Sequence, residues 1–510
     1  SPAITEAGGI WFGMSGSPVY HEGRLMGALA FGLSFGPSSV AGLTPAEEMV
    51  KLFDLPSSPT LSAESLASSD GPERARISRA MRREIAQETG ASEESVGGSF
   101  ERLKVPLSVS GAGRGLARVR RAVRREGLSL LPHAGSATAA SASVLPGASL
   151  GAGSSFAAAL SYGDITIGGV GTTTMACDGR ALAWGHPFSF TGRTSMGANA
   201  ADALTIVKDP FFGAFKLATI EEGVGIVDQD RLAGLRGVFG VEPESIPLTA
   251  AVTALDTGRS RTGQTLALSQ EVAPFLAFFH GFANIDSTFD QISGGSSDMS
   301  WIIRGTRESG GTWSLSRSNK FADDFDISFG SMFELESQLH QLLNNDFESV
   351  GLTSVDFNVA VEETVRRYTV EDLLVSTNGR VYRNVNRVRV SPGATIFLKV
   401  VLQPTHRTAE RVVNMSLRVP SRARRGGSIE MFGGSGEFDF GGCFFEFEEC
   451  GAPTSSSVDS FDELLSSLER QPKNNRLTAR LRMGRLRSRD TQHLDQVVSG
   501  SQFLDVLITR

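Results

Sequence analysis

The chain has 510 residues, too many for a single hydrophobic core, so roughly three or four domains are expected. With 40% apolar and 21% charged residues it has the composition of an ordinary globular protein and not of a disordered or fibrous one. A net charge of -7 gives no general attraction to nucleic acid or anionic lipid, and no run approaches the roughly 20 apolar residues that cross a bilayer.

Fifty-seven glycines against four tyrosines and four tryptophans favour tight turns and short strands, so a mainly β protein is expected. Residues 1–56 contain GGIWFGMSGSPVY, a polar HEGR turn and LMGALAFGLSF, which read as two strands joined by a hairpin. They close on AGLTPAEEMVKLF, where Thr44 is placed to cap a helix, with Pro45 in its first position and Glu47 three residues on. Residues 57–155 read as a helical and low-complexity linker. A Ser/Pro-rich stretch is followed by the amphipathic ARISRAMRREIAQE, the basic GLARVRRAVRREG and an Ala/Ser/Gly run. The arginines could form a binding surface or simply a solvated helix face.

From residue 156 to about 325, strands alternate with Gly-Asp and Asp-Gly turns, a second β-rich domain. Residues 326–425, with TVRRYTV, RVRVSPGATIFLKVVLQP and ERVVNMSLRVP, suit a β-sandwich. Residues 426–510 read as a C-terminal appendage with one helix, SFDELLSSLER, and a final strand, FLDVLIT. Cys443 and Cys450 lie close enough in sequence for a local hairpin disulfide or for two half-buried thiols, and Cys177 reads as a small residue at a turn. No Cys/His spacing suits a metal.

The residues that could carry chemistry begin at Gly13-Met14-Ser15-Gly16-Ser17-Pro18. A nucleophilic serine needs a tight turn that presents its hydroxyl, with backbone N–H groups left free for an oxyanion, and flanking glycines permit that backbone. G-x-S-G also describes a glycine turn without chemistry.

The longer string GGIWFGMSGSPVY-HEGRLMGALAFGLSFGPSSVAGLTPAEEM resembles the serine block of the SpoIVB peptidases and their secreted bacterial relatives. The resemblance covers about the first 50 residues. It implies a chymotrypsin-like β-barrel peptidase core, incomplete on its N-terminal side, with Ser15 as nucleophile and an oxyanion hole of N–H groups at Gly13 and Ser15. Gly185-His186-Pro187-Phe188 resembles the histidine block of that family and makes His186 the candidate general base. FKLATIEEGVGIVDQDRLAGLRGVFG resembles the segment downstream of that block in multidomain relatives. In the sporulation enzymes the histidine block precedes the serine, whereas here it follows by about 170 residues, so residues 1–56 must pack against the 156–325 region for the two to meet.

The family's orienting aspartate would fall upstream of Ser1, and a chain starting Ser1-Pro2 is expected to have lost residues, any signal peptide included, by processing or choice of fragment. Asp164, Asp202, Asp228 and Asp230 could substitute, although Asp164 and Asp230 suit turns or arginine pairs. His21 reads as exposed in a hairpin turn, His280 as packed in FLAFFHGF, and His133, His340, His406 and His493 as lying in polar contexts. Lys208 and Lys216 raise a Ser–Lys dyad without support from spacing. The resemblance implies a serine endopeptidase of the cell envelope or exterior that acts on a peptide or protein substrate without cofactor or metal, with self-cleavage as a limiting case. The alternative is a catalytically inactive binding or scaffold protein of the envelope.

Overall fold

Glycine-broken apolar runs fold into antiparallel strands in the computed structural model, which describes residues 4, 6–33, 39–57, 74–90, 92–125, 129–138, 142–209, 213–405, 409–434 and 458–509. The protein is mainly β and divides into two compact units, one of Ser1–Thr249, Gly263–Ala283 and Ser349–Val355, the other of Ala250–Thr262, Asn284–Glu348 and Asp356–Arg510. His406, Cys443 and Cys450 lie outside the described residues, and Cys177 is a free, exposed thiol.

In the first unit, β1 (Pro18–His21) and β2 (Arg24–Leu33) form the hairpin expected at HEGR. Its two turn residues, Glu22 and Gly23, both have positive φ, 48° and 75°, the backbone of a type I′ turn that matches strand twist. β3 (Ala41–Pro45) pairs with β2, and β4 (Arg74–Arg76) joins the sheet through β5 (Ser99–Arg102). Thr44 caps nothing. The short helix Ala46–Val50 has Pro45 as its N-cap with no side-chain cap bond, because the Thr44 hydroxyl donates instead to the Gly185 carbonyl, 141 residues away in sequence.

The 57–155 region is not wholly linker. β6 (Val105–Ser110), the helix Leu116–Arg125 and β7 (Leu130–Ala134) form a β–helix–β unit with β6 and β7 parallel, and β6 pairs with the later strand Thr166–Cys177. The buried run at Val105, Leu107 and Val109 supplies the apolar strand that the neighbouring arginines obscured. β8 (Ser136–Ala137) adds beside the strand Phe215–Arg231.

β9 (Ser155–Gly163), β10 (Thr166–Cys177), β11 (Arg180–Ala183), β12 (Gly192–Val207), β13 (Phe215–Arg231) and β14 (Gly234–Phe239) follow. Their antiparallel pairings run β9–β12–β13–β14–β11–β10 and return to β9, a closed ring of six strands with no free edge inside it. The β10–β11 hairpin turns on Asp178 and Gly179, again both at positive φ, as the Asp-Gly signal predicts.

Arg236 on β14 and Asp228 on β13 are buried as an ion pair at 2.6 Å. The same guanidinium donates to the carbonyls of Leu52 and Leu55, both at 2.6 Å, so it also ties down the end of the serine-bearing segment.

In the second unit, the strand Arg367–Ser376 lies inside one five-stranded sheet, while Gly427–Gly433, Arg476–Met483, Leu486–His493 and Ser501–Ile508 belong to another. Val370, Leu398 and Leu417 of the first and Ile429, Leu481 and Val506 of the second share one buried cluster. Residues 426–510 are therefore not an appendage: alternating stretches such as RLTARLRM build half of that core. No helix among the described residues is long and apolar enough to cross a membrane.

Removing one partner of a buried pair leaves an uncompensated charge and costs about 3–5 kcal/mol. Arg236→Met is expected to lower the midpoint of the first urea transition accordingly, and to open residues 52–57 to limited proteolysis. A variant with wild-type midpoint and digestion pattern would show that the clamp does not secure this segment.

Candidate functional site

Ser15 lies on a turn in which Gly13 and Gly16 both adopt φ of +95°, a region closed to most side chains. Gly16 has a second reason to be glycine. A Cβ there would lie 2.0 Å from the Thr172 carbonyl oxygen and 2.4 Å from the Trp184 nitrogen, so the turn is pressed backbone to backbone against β10 and the end of β11.

The bonds of this turn account for most of its polar atoms. The Thr172 N–H donates to the Ser15 carbonyl at 2.8 Å, and the Thr172 hydroxyl donates to the Gly13 carbonyl at 3.1 Å. The Thr174 hydroxyl donates to the Gly16 carbonyl at 2.8 Å, and the Gly16 N–H donates to Leu29 on β2 at 2.8 Å. The carbonyl of Phe12 takes the Lys216 N–H and that of Met14 takes the Ser17 N–H, each at 2.8 Å. Because trans peptides point C=O and N–H in opposite directions, these two bonds orient the N–H groups of Gly13 and Ser15 away from their carbonyl partners. Neither N–H has an acceptor among the described residues, the condition an oxyanion hole requires.

The histidine loop is fixed to the same strand. The Trp184 N–H donates to the Thr172 carbonyl at 3.1 Å. Trp184 holds φ of +71°, rare for a bulky residue, while its buried ring covers Gly169 and Gly171 of β10, where a Cβ would meet the indole at 2.6 and 2.5 Å. Glycines on β10 thus make room for the tryptophan that turns the chain toward His186.

His186 Nε2 lies 2.8 Å from Ser15 Oγ, and His186 Nδ1 lies 2.8 Å from the Pro187 carbonyl oxygen. A carbonyl can only accept, so Nδ1 carries the proton and Nε2 presents its lone pair to the serine hydroxyl. Both residues are nearly closed to solvent, with Ser15 2% and His186 1% exposed. Burial pulls the imidazole down to about 4, the Pro187 carbonyl opposes the shift, and the positive charge of Arg102 adds to it. The ring is therefore neutral at physiological pH.

No carboxylate among the described residues reaches Nδ1. Asp230 accepts the N–H groups of Phe188 at 2.8 Å and Ser189 at 2.7 Å, directly after the histidine, so it shapes the loop and does not touch the ring. Burial pushes its carboxyl up, while the loop amides pull it back. Asp228 is spent on Arg236, Asp164 lies 3.8 Å from His280, and Asp202 is exposed on β12.

Of the remaining candidates, His21 is exposed as expected, and His280 is buried with its Nδ1 3.0 Å from the Thr265 hydroxyl. His133 departs from its expected polar setting: it is buried, with Nδ1 3.2 Å from the Leu131 carbonyl oxygen, because β7 enters the sheet. His340 and His493 are exposed. Lys216 forms no dyad with Ser15, since its ammonium bonds to Ser155, Gly171 and Thr172. No group of three His, Cys, Asp or Glu residues suited to a metal occurs among the described residues.

Thr172 and Thr44 escaped sequence reasoning as site residues, and Asp230, offered as a substitute for the orienting acid, instead shapes the loop after the histidine. The TTT run after GGVG carries only a β-strand signal, and nothing local distinguishes a threonine that bridges two loops from one that fills a sheet face. No family model, curated protein or solved structure matches the chain.

A single methyl at Gly16 cannot be absorbed by backbone atoms 2.0 and 2.4 Å away. Gly16→Ala is expected to lower the melting temperature by at least several degrees and to abolish any reaction of Ser15 with an active-serine probe. An alanine variant with unchanged melting and reactivity would mean that the turn does not pack in this way.

Proposed function

We propose that the chain is a serine endopeptidase that cleaves peptide bonds through an acyl-enzyme on Ser15, with His186 as general base. What carries the reading is the 2.8 Å bond from the Ser15 hydroxyl to an imidazole held in the base-competent tautomer, beside two N–H groups without acceptors. In the first step Ser15 Oγ bonds to the substrate carbonyl carbon, its proton passes to His186 Nε2, and the carbonyl electron pair moves onto oxygen, facing the N–H groups of Gly13 and Ser15. Collapse breaks the C–N bond, and the leaving amine takes the proton from His186. Water then repeats the sequence on the ester and frees Ser15. The Pro187 carbonyl does part of what an orienting carboxylate does, since it fixes the tautomer, but its partial charge offers less support to the imidazolium.

A chymotrypsin-like barrel core belongs to the same proposal, supported by the closed ring of six antiparallel strands, as does a C-terminal β-sandwich, supported by the core shared between two sheets. An exported location rests on the resemblance to SpoIVB peptidases alone.

A second reading has its own observations. Ser15 and His186 are closed to solvent, and the ring nitrogen opposite the serine meets a carbonyl in place of an acid. A noncatalytic binding or scaffold module would keep such a pair as a satisfied buried hydrogen bond.

A fluorophosphonate probe separates the two. The peptidase reading expects labelling of Ser15 that Ser15→Ala abolishes, together with peptide hydrolysis reduced by at least about a thousandfold. An unlabelled wild-type protein would leave the scaffold, and a mass equal to that of the intact chain would exclude self-cleavage.

Protonation of His186 removes the lone pair that accepts the serine proton. The acid limb of kcat/KM is therefore expected near pH 4 and not near the ordinary 6.5. The same depressed value means that the unfolded chain binds a proton the folded one refuses, so stability is lost as pH falls from 6.5 toward about 4. His186→Gln should flatten that dependence, and an acid limb at pH 6–7 would contradict the buried, neutral imidazole.

A further inference from the structure

Lys216 sits on β13 beneath the serine turn. Its stem packs on the Gly13 α-carbon, where an added Cβ would lie 2.7 Å from Lys216 Cβ and 3.5 Å from Cε. Its ammonium donates to the Gly171 carbonyl at 3.0 Å, the Thr172 hydroxyl at 3.1 Å and the Ser155 hydroxyl at 3.3 Å. Three donors meet three acceptors, which is the full capacity of the charged form, whereas a neutral amine would have only two N–H groups for them. All three acceptors are uncharged, and no carboxylate lies within ion-pair distance among the described residues. Even a partly buried cation without an anion is costly, and a methionine would fill the same space without that cost.

We infer that Lys216 is a positioning residue for acylation of Ser15: its uncompensated charge, relayed through the Thr172 hydroxyl to the Gly13 carbonyl, prepares the glycine–serine turn for the negative charge of the tetrahedral intermediate. The inference rests on the reading of Ser15 as a nucleophile. Two bonds connect Lys216 to the turn independently. Its backbone N–H holds the Phe12 carbonyl and so orients the Gly13 N–H. Its ammonium and the Gly13 carbonyl share the Thr172 hydroxyl, which accepts from the first and donates to the second, a chain in which each bond polarises the next. The intermediate brings the anion that the resting site lacks, so the charge acts more strongly on the transition state than on the substrate.

The surroundings give this charge a titration of its own. Ser155 on β9, Gly171 and Thr172 on β10, Gly13 of the turn and Ile206, its partner on β12, carry no charge. On β7 the nearby titratable group is His133, whose ring lies 4.9 Å from that of Phe215 and which burial holds toward its neutral form. Burial alone brings the ammonium down to about 8.

The test is the rate of Ser15 labelling by a fluorophosphonate in the full chain, followed against pH for the wild type, Lys216→Met and Lys216→Arg, with melting curves for each. Labelling is expected to slow at least about tenfold in Lys216→Met, to recover in Lys216→Arg, and in the wild type to fall as pH rises through about 8, with that limb gone in the arginine variant. Wild-type labelling rates in a folded Lys216→Met would overturn the inference, as would an alkaline limb unchanged in Lys216→Arg. If Lys216→Met does not fold, the arginine variant and the wild-type pH profile still decide. A wild-type protein that is never labelled fails for a different reason: it removes the nucleophile itself.

Discussion

Thr172 bonds to both halves of the candidate site. Its N–H holds the Ser15 carbonyl, its carbonyl holds the Trp184 N–H, and its hydroxyl holds the Gly13 carbonyl. One residue in the middle of β10 therefore sets the separation between a serine turn and a histidine loop that are 171 residues apart in sequence. Each of these bonds is individually worth only about 1 kcal/mol net. Their consequence is geometric: they lie within a strand that is bonded on both sides into a closed ring, so the turn and the loop have no independent way to drift. This shared support holds Nε2 and Oγ at 2.8 Å, and for the proposed peptidase it would matter because a misplacement of about 1 Å can cost two orders of magnitude in rate.

Around that strand, the ionisable groups are buried in an unusual manner. Lys216 is solvated by three neutral oxygens, Asp230 by the amides of the loop after the histidine, and His186 by a carbonyl and a hydroxyl. None of these has an opposite charge as its partner. Asp228 and Arg236, a few residues away, form the conventional buried pair. The contrast separates two duties. The ion pair holds the end of the segment that delivers Ser15, while the groups solvated by fixed dipoles keep their electrostatic capacity for something else. Fixed dipoles need no reorganisation when charge develops nearby, and that is what would favour acylation on the proposed peptidase reading.

The sequence made legible what local chemistry dictates. Asp178-Gly179 announces a two-residue hairpin because Asp and Gly accept consecutive positive φ, HEGR does so through Gly23 and its polar setting although Glu22 also takes positive φ, and the glycines around Ser15 announce a tight turn. Apart from Ser15 and His186, whose pairing came from the resemblance, the sequence was silent where a residue answers to a distant partner. Thr44 has every local mark of a helix cap, yet its hydroxyl goes to Gly185, since a buried hydroxyl takes the acceptor that tertiary packing presents. Residues 105–134 looked like linker because arginines and glycines flank a short apolar strand, and a parallel pairing such as β6 with β7 leaves no turn signature between its strands. Asp230 was read as a turn residue, and its bonds to the loop amides agree with that. The turn happens to be the one that carries the histidine.

Closure of the site to solvent then constrains how any chemistry could occur. The serine-bearing segment is anchored three times, at residues 13–16 on β10, at Thr44 on the Gly185 carbonyl and at residues 52–57 on Arg236. The first anchor also holds the dyad together, so a motion that released it to admit a peptide would destroy the geometry it was meant to expose. If the chain is the peptidase proposed above, opening must leave the bonds of Thr172 intact and move chain beyond them, where β2 pairs with β1, β3 and β5. Such a displacement would have to expose Ser15 Oγ without parting it from His186. It would also lift the burial that depresses the imidazole, so that His186 would regain basicity as a substrate gained access. In such a peptidase, admission of the substrate and activation of the base would be one event.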